Sequence, residues 1–224
     1  MNCFRYKIEH DYGFAPNPFH GTLSLATCKG PIRQNKNLRV GDWIVGFGSK
    51  SMDNEGYLIY AMKVERIITF DEYWESEEFQ CKKPVINGTL VQMYGDNVYH
   101  TDISAQPVRK FIQERCAHSN KDWTVNLGHY AQDTRTDRVL LSKTFYYFGD
   151  HCVSLPKQYS CIGLSKRDKR GNMAYRDLQG QDAKIQAFAD WLAANYETGI
   201  HGDPCNWKEF KRDKYEVYED EEDK

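Results

Sequence analysis

The order of the periodic segments constrains this chain more than any motif does: strand-like stretches come first, and the strongest amphipathic helix comes late. Residues 3–9 alternate apolar and polar, the period of a half-buried strand. Thr22 to Cys28 reads as a short strand, and Trp43-Ile44-Val45 reads as a buried one after the turn signal Gly41-Asp42. The run Tyr57 to Ile68 predicts one long strand, with Thr69 or Asp71 capping a short helix over Glu72-Tyr73-Trp74. Residues 89–100 suggest a hairpin with Gly95-Asp96-Asn97 as its turn. A short helix is expected over 106–116, strands over Asp122 to Asn126 and Arg138 to Phe148, and a polar loop over 165–180. Asp182 to Tyr196 then places Ile185, Phe188 and Leu192 on one helical face, with Gly199 beyond its end. Strands followed by a late helix fit an α+β domain better than an alternating α/β one.

One segment forbids regular structure. Two prolines and two glycines within Gly13-Phe14-Ala15-Pro16-Asn17-Pro18-Phe19-His20-Gly21 make a shaped loop. Rigid irregular loops often carry sites, so Asn17 and Phe19 are candidate pocket walls, against the alternative of a turn whose Asn caps its own backbone.

Charge and cysteine usage limit the function classes. The net charge is −2, with 30 Lys+Arg against 32 Asp+Glu, so no global attraction to nucleic acid exists. The acidic run Glu216 to Asp223 accounts for the negative sign and leaves the body mildly basic. Residues 1–214 are therefore expected as one domain, with 215–224 as a solvated tail. The seven Cys form no CxxC pair, so neither a zinc ribbon nor a thioredoxin motif is supported. The start of the chain is charged from Arg5 onward and no apolar run approaches the ~20 residues of a membrane helix. A reduced, cytoplasmic protein with no membrane partner is the expectation.

No Walker A loop, GxGxxG, HExxH, GxSxG or zinc-deaminase pattern occurs. What remains is a set of polar and aromatic residues where the chain is tightly shaped. Cys28 and Lys29 with Arg33 suit a phosphate clamp, or else a solvated basic face. Gly46 and Gly48 weaken a strand unless something approaches its backbone closely, and Ser49 follows them. Asp96, Asn97, Tyr99 and His100 gather a carboxylate, an amide, a phenol and an imidazole within five residues. Ser142 and Tyr147 lie on a segment rich in aromatics, suited to base stacking or to sheet core, and Trp43 divides between the same two roles. His118 and His129 lie near Asn120, Asn126 and Asp133 at no spacing that imposes a metal site. Nothing in the residue pattern asks for a metal or a cofactor.

Two stretches carry more than composition. Arg39 to Val45, then Tyr60 to Ile67 and Asp71 to Trp74, resemble the strands of a PUA-like barrel of the EVE, YTH and ASCH kind. More specifically, Gly13 to Phe19, Thr22 to Lys29, Ile32-Arg33 and Gly41 to Ser49 are similar to the nucleotide modification-associated domain family (type 2). Asn97 to His100 and Val139 to Gly149 share the likeness. The resemblance implies a small mixed β-barrel flanked by short helices and a C-terminal amphipathic helix. It implies a bacterial or phage-associated protein whose partner is a nucleotide or nucleic acid, DNA ahead of RNA. On the enzyme reading, Asp96 or His100 is the general base and Cys28, Lys29 and Arg33 hold phosphate. On the alternative, the chain reads modified bases without chemistry, with an extruded base held between Trp43, Phe19 and Tyr147.

Overall fold

A computed structural model describes residues 1–101, 111–164, 176–178 and 180–210. In chain order the strands are β1 (Cys3–Lys7), β2 (Leu23–Leu25), β3 (Trp43–Phe47), β4 (Leu58–Lys63), β5 (Arg66–Ile68) and β6 (Tyr99–Thr101). They continue with β7 (Phe111–Gln113), β8 (Val139–Ser142), β9 (Phe145–Tyr147), β10 (Arg176–Asp177) and β11 (Gly199–Ile200). The helices are α1 (Gly30–Arg33), α2 (Phe70–Glu75), α3 (Leu90–Met93), α4 (Leu127–Asp133) and α5 (Asp182–Asn195).

Six strands form a mixed open sheet in the order β10-β1-β3-β4-β9-β11, with β1 parallel to β3 and β9 parallel to β11. A second sheet runs β2-β8-β5, all antiparallel, and β6 pairs with β7. Side-chain alternation along the six-stranded sheet buries both of its faces. Phe4, Tyr6, Ile44, Met62, Phe145 and Tyr147 pack toward the second sheet with Leu23, Leu25 and Leu140. Cys3, Trp43, Val45, Ala61 and Tyr146 face the other way, onto Ile185, Phe188 and Leu192 of α5. The far side of the second sheet, through Val139 and Leu141, meets Phe70, Tyr73, Phe79, Met93 and Tyr99. The layers are thus helix, sheet, sheet, and an outer shell of short elements, which is an α+β arrangement.

Several expectations are corrected. The run 57–68 is two strands: beyond Lys63 the chain leaves β3, and Glu65 N donates to Leu141 O at 2.9 Å instead. Residues 138–148 break likewise between β8 and β9, and Glu65 joins the two corners. Its carboxylate accepts from Lys143 N and Thr144 Oγ1, each at 2.6 Å. Both long segments therefore pass from one sheet to the other, and the described strands do not close into a barrel. The 89–100 hairpin does not form, because Thr89 and Gln92 make a reciprocal capping box that starts α3. Strand β6 pairs instead with β7, on residues expected to be helical. Asp122 to Asn126 is not a strand, since Asn126 accepts from Gly128 N and His129 N to cap α4. Within 165–180, Arg176–Asp177 pairs with β1, while 165–175 and 179 lie outside the described residues, as do 106–110 of the expected 106–116 helix. The acidic run 216–223 is outside them too. The Thr69-capped helix and α5 form where the sequence places them. No helix among the described residues is long and apolar enough to cross a membrane.

Candidate functional site

Cys28 sits on the tight turn between β2 and α1, and the backbone there is strained. Cys28 and Lys29 both adopt left-handed conformations, with φ of 51° and 39°. For non-glycine residues each costs about 1–3 kcal/mol and persists only when the surroundings over-determine it. Here they do. Cys28 N donates to Asp133 Oδ1 at 2.6 Å, and Arg33 reaches Cys28 O at 3.3 Å and Asp133 O at 3.1 Å. A strained strand-to-helix turn is the way α/β-hydrolases present a nucleophile.

The thiol of Cys28 lies 3.3 Å from Nε2 of His118, whose Nδ1 lies 2.7 Å from Asp133 Oδ2. Tyr99 donates to the same oxygen at 3.0 Å, and Gln113 donates to Tyr99 at 2.8 Å. Cys28 and His118 are half-buried, the His118 side chain being 11% exposed, and Asp133 is 1% exposed. Burial opposes charge on His118, but the Cys28 sulfur and Asp133 outweigh it and push the imidazole up to about 10. A nucleophile, a base and a buried group that orients the base are the three parts of a catalytic triad.

The same three side chains could hold a metal, their donor atoms lying within 4.8 Å of one another. The geometry argues otherwise. Asp133 approaches the imidazole at Nδ1, opposite the sulfur at Nε2, so a cation between sulfur and Nε2 would have the carboxylate behind the ring rather than as a ligand.

Other predicted residues fall elsewhere. Asp96 is buried; its carboxylate accepts from Ser24 Oγ at 2.7 Å and Tyr73 OH at 2.8 Å. Lys82, equally buried, donates to Asn17 Oδ1 at 2.6 Å, Asn17 O at 3.2 Å and Ser24 Oγ at 3.0 Å. Asn17 and Asp96 therefore do meet, in a satisfied internal network away from solvent. Burial pushes Lys82 down to about 8 and Asp96 upward. His100 is not beside Asp96: it stacks on Trp74 at 4.3 Å and contacts Glu114 Oε1 at 2.9 Å. Asn97 is buried, donating to Tyr73 O and Phe79 O. Arg33 is no phosphate clamp, being fully buried with its guanidinium spent on main-chain carbonyls.

Trp43 is core, edge-on to Phe188 of α5, and Phe19 is covered by a stack on Trp207. Tyr147 is fully buried and donates to Asp11. Gly46 and Gly48 accommodate Tyr60 and Asn54 of this chain rather than a ligand. Ser49 meets Ser51, and Ser142 donates to Thr144 O. Of the predicted set, Cys28, Arg33 and Tyr99 all contact Asp133, while Lys29 adjoins Cys28 in the chain with its ammonium over the Tyr6 ring. An open depression of ≈ 630 Å³ bordered by Met1, Arg39 and Asp182 involves none of them.

A family model described as nucleotide modification associated domain 2 matches residues 1–211. The chain belongs to that family. No curated protein and no solved structure matches it, so the PUA-like likeness gains no support from a known fold. In this member of the nucleotide modification associated domain 2 family, His118 and Asp133 are the residues that sequence reasoning missed. They stand 90 and 105 positions from Cys28, and no local spacing links them to it. The only available signal was a cysteine in a Gly-Pro turn after a strand, with His129 and Asp133 one helical turn apart.

Proposed function

We propose that this chain is a cysteine-nucleophile enzyme of nucleotide or nucleic-acid modification, hydrolysing a carbonyl-linked group on a modified base or nucleotide. The observation that carries the reading is the Cys28–His118–Asp133 series on a strained turn, in a chain whose family is associated with nucleotide modification. The reaction proposed starts from the Cys28 sulfur as a thiolate beside a charged His118. The thiolate attacks the carbonyl carbon, and the leaving group departs with the proton of the His118 imidazolium, leaving a thioester on Cys28. Water then gives a proton to His118 and attacks the thioester; the C–S bond breaks, restoring thiolate and imidazolium. Asp133 holds the ring by Nδ1 throughout.

Lys29 is proposed as the phosphate partner. It adjoins the nucleophile, and its ammonium sits 4.7 Å from the centroid of the Tyr6 ring. The two bent segments that link the sheets support a PUA-like relation of the fold, since strands that change sheets at corners are how such layers curl toward barrels.

Acetylated cytidine and adenosine monophosphates are the first substrates to test. Mass spectrometry of the wild type should find an acetyl thioester on the Cys28 peptide and free nucleotide in solution, and Cys28→Ala should abolish both. Nucleotide binding without any adduct or turnover across a panel of acyl-modified nucleotides would make the chain a reader instead.

A further inference from the structure

His129 lies flat on His118, with ring centroids 4.1 Å apart and planes at 17°. Phe14 meets His118 edge-on at 4.8 Å. Cys28 and Asp133 hold its two ring nitrogens, so His118 is restrained on its edges and on its exposed side. His129 is itself exposed, and it is the layer between the buried imidazole and water. Its placement is a consequence of helix geometry. His129 and Asp133 are i and i+4 on α4 and share a face. One turn of helix thus grips His118 twice, in the ring plane through Asp133 and over the ring through His129. The Asn126 cap, which accepts from His129 N at 3.1 Å, sets the start of that turn.

From this geometry we infer, building on the triad reading, that His129 is a positioning residue whose own protonation sets the acid limit of Cys28 reactivity. A neutral imidazole stacks favourably on the His118 imidazolium, as an aromatic face does on any cation. A protonated one cannot. It places a second positive charge against the first, closer to the imidazolium than to the thiolate at that ring's edge, and so disfavours the ion pair. The charged groups facing His129 are His118 and, further off, Asp133 on its own helix; burial and the His118 charge hold His129 below its ordinary 6.5, against the pull of Asp133. The stack is therefore complete above pH 6.5 and is lost as the pH falls through the lowered value.

The test reads Cys28 directly and needs no substrate. The rate of iodoacetamide alkylation at the Cys28 peptide is followed by mass spectrometry from pH 4.5 to 9 in the full chain. The variants are wild type, His129→Phe, His129→Gln and His118→Gln. Neither replacement at 129 titrates, so both should extend reactivity downward by about half a pH unit or more. An acid midpoint that stays in place or moves up in both variants overturns the inference. His118→Gln tests the other reading separately: it should slow alkylation near neutral pH by at least about tenfold. If His118→Gln alkylates like the wild type, the triad falls. If it slows while the 129 variants leave the midpoint unmoved, only the role of His129 falls.

Discussion

At the scale of single residues, Asp133 does the most. One buried carboxylate accepts from the backbone of the strained Cys28, contacts the inner nitrogen of His118 and accepts from Tyr99. It fixes at once where the sulfur points and which way the imidazole faces. A charged His118 also makes the fold pH-dependent in a defined sense. Its folded value, about 10, lies above the ordinary 6.5. The pair therefore contributes its full stability below pH 6.5, and loses it progressively as the pH rises to about 10. The melting temperature of wild type should exceed that of His118→Gln most below pH 6.5, with the gap closing toward pH 10. A gap that is constant across that window would mean the imidazole is not charged in the folded chain. The sequence singled out Cys28 as a phosphate ligand and Tyr99 as a ligand-binding phenol, each a chemically capable side chain in a tightly shaped stretch, and the fold sets both against Asp133. Asp133 itself was not legible, since a carboxylate at the end of a polar segment reads as surface until the fold buries it.

Short elements position this site, and their caps decide where they begin. Thr69 accepts from Glu72 N at 3.2 Å while Glu72 accepts from Thr69 N at 2.7 Å, so α2 starts with both end donors satisfied. That helix then holds β6 through Asp71, which accepts from Thr101 N at 2.7 Å. Thr69→Ala should destabilise the protein by about 1 kcal/mol in urea denaturation. Alkylation of Cys28 should not change, because the lost cap bonds are confined to the first turn of α2. The Thr69 cap was readable in advance, whereas the equivalent cap at Thr89 was not. Leu90 to Tyr94 has a composition that fits a strand as well as a helix, and four residues are too few for periodicity to separate the two. The Thr89 cap turns the first arm of that hairpin into α3, and β6 takes β7 as its partner instead.

Across the whole molecule, the buried network of Lys82, Ser24, Asn17, Asp96 and Tyr73 ties the Pro-rich loop and the second sheet to the outer shell. All three ammonium donors of Lys82 are used, and Ser24 passes the connection on to Asp96. Removing one charge leaves the other buried and uncompensated. Lys82→Met alone should therefore lower stability by about 3 kcal/mol. Adding Asp96→Asn should recover part of that loss, giving a coupling of roughly 1 kcal/mol or more in a double-mutant cycle followed by urea denaturation. Purely additive losses would show that the network is not a unit.

The sequence by itself determined where β1, β3 and α5 lie, because alternation, an apolar run and helical spacing are local properties of the chain. The alternation in β1 pointed to a half-buried strand, but the fold covers both faces of β1 and β3. The sequence also carried the family, through motifs in its first fifty residues and the 139–149 segment. The tertiary structure alone decided the corners at Glu65 and Thr144, since a continuous β-rich run has no residue that announces a change of sheet. It alone assembled Cys28, His118 and Asp133, because a triad is defined by distances between side chains and not by spacing along the chain. The Pro-rich loop and the 96–100 segment looked like the site for the same reason that they proved internal. Buried polar groups must find partners, and the residue types that satisfy one another inside a protein are the same ones that do chemistry at its surface.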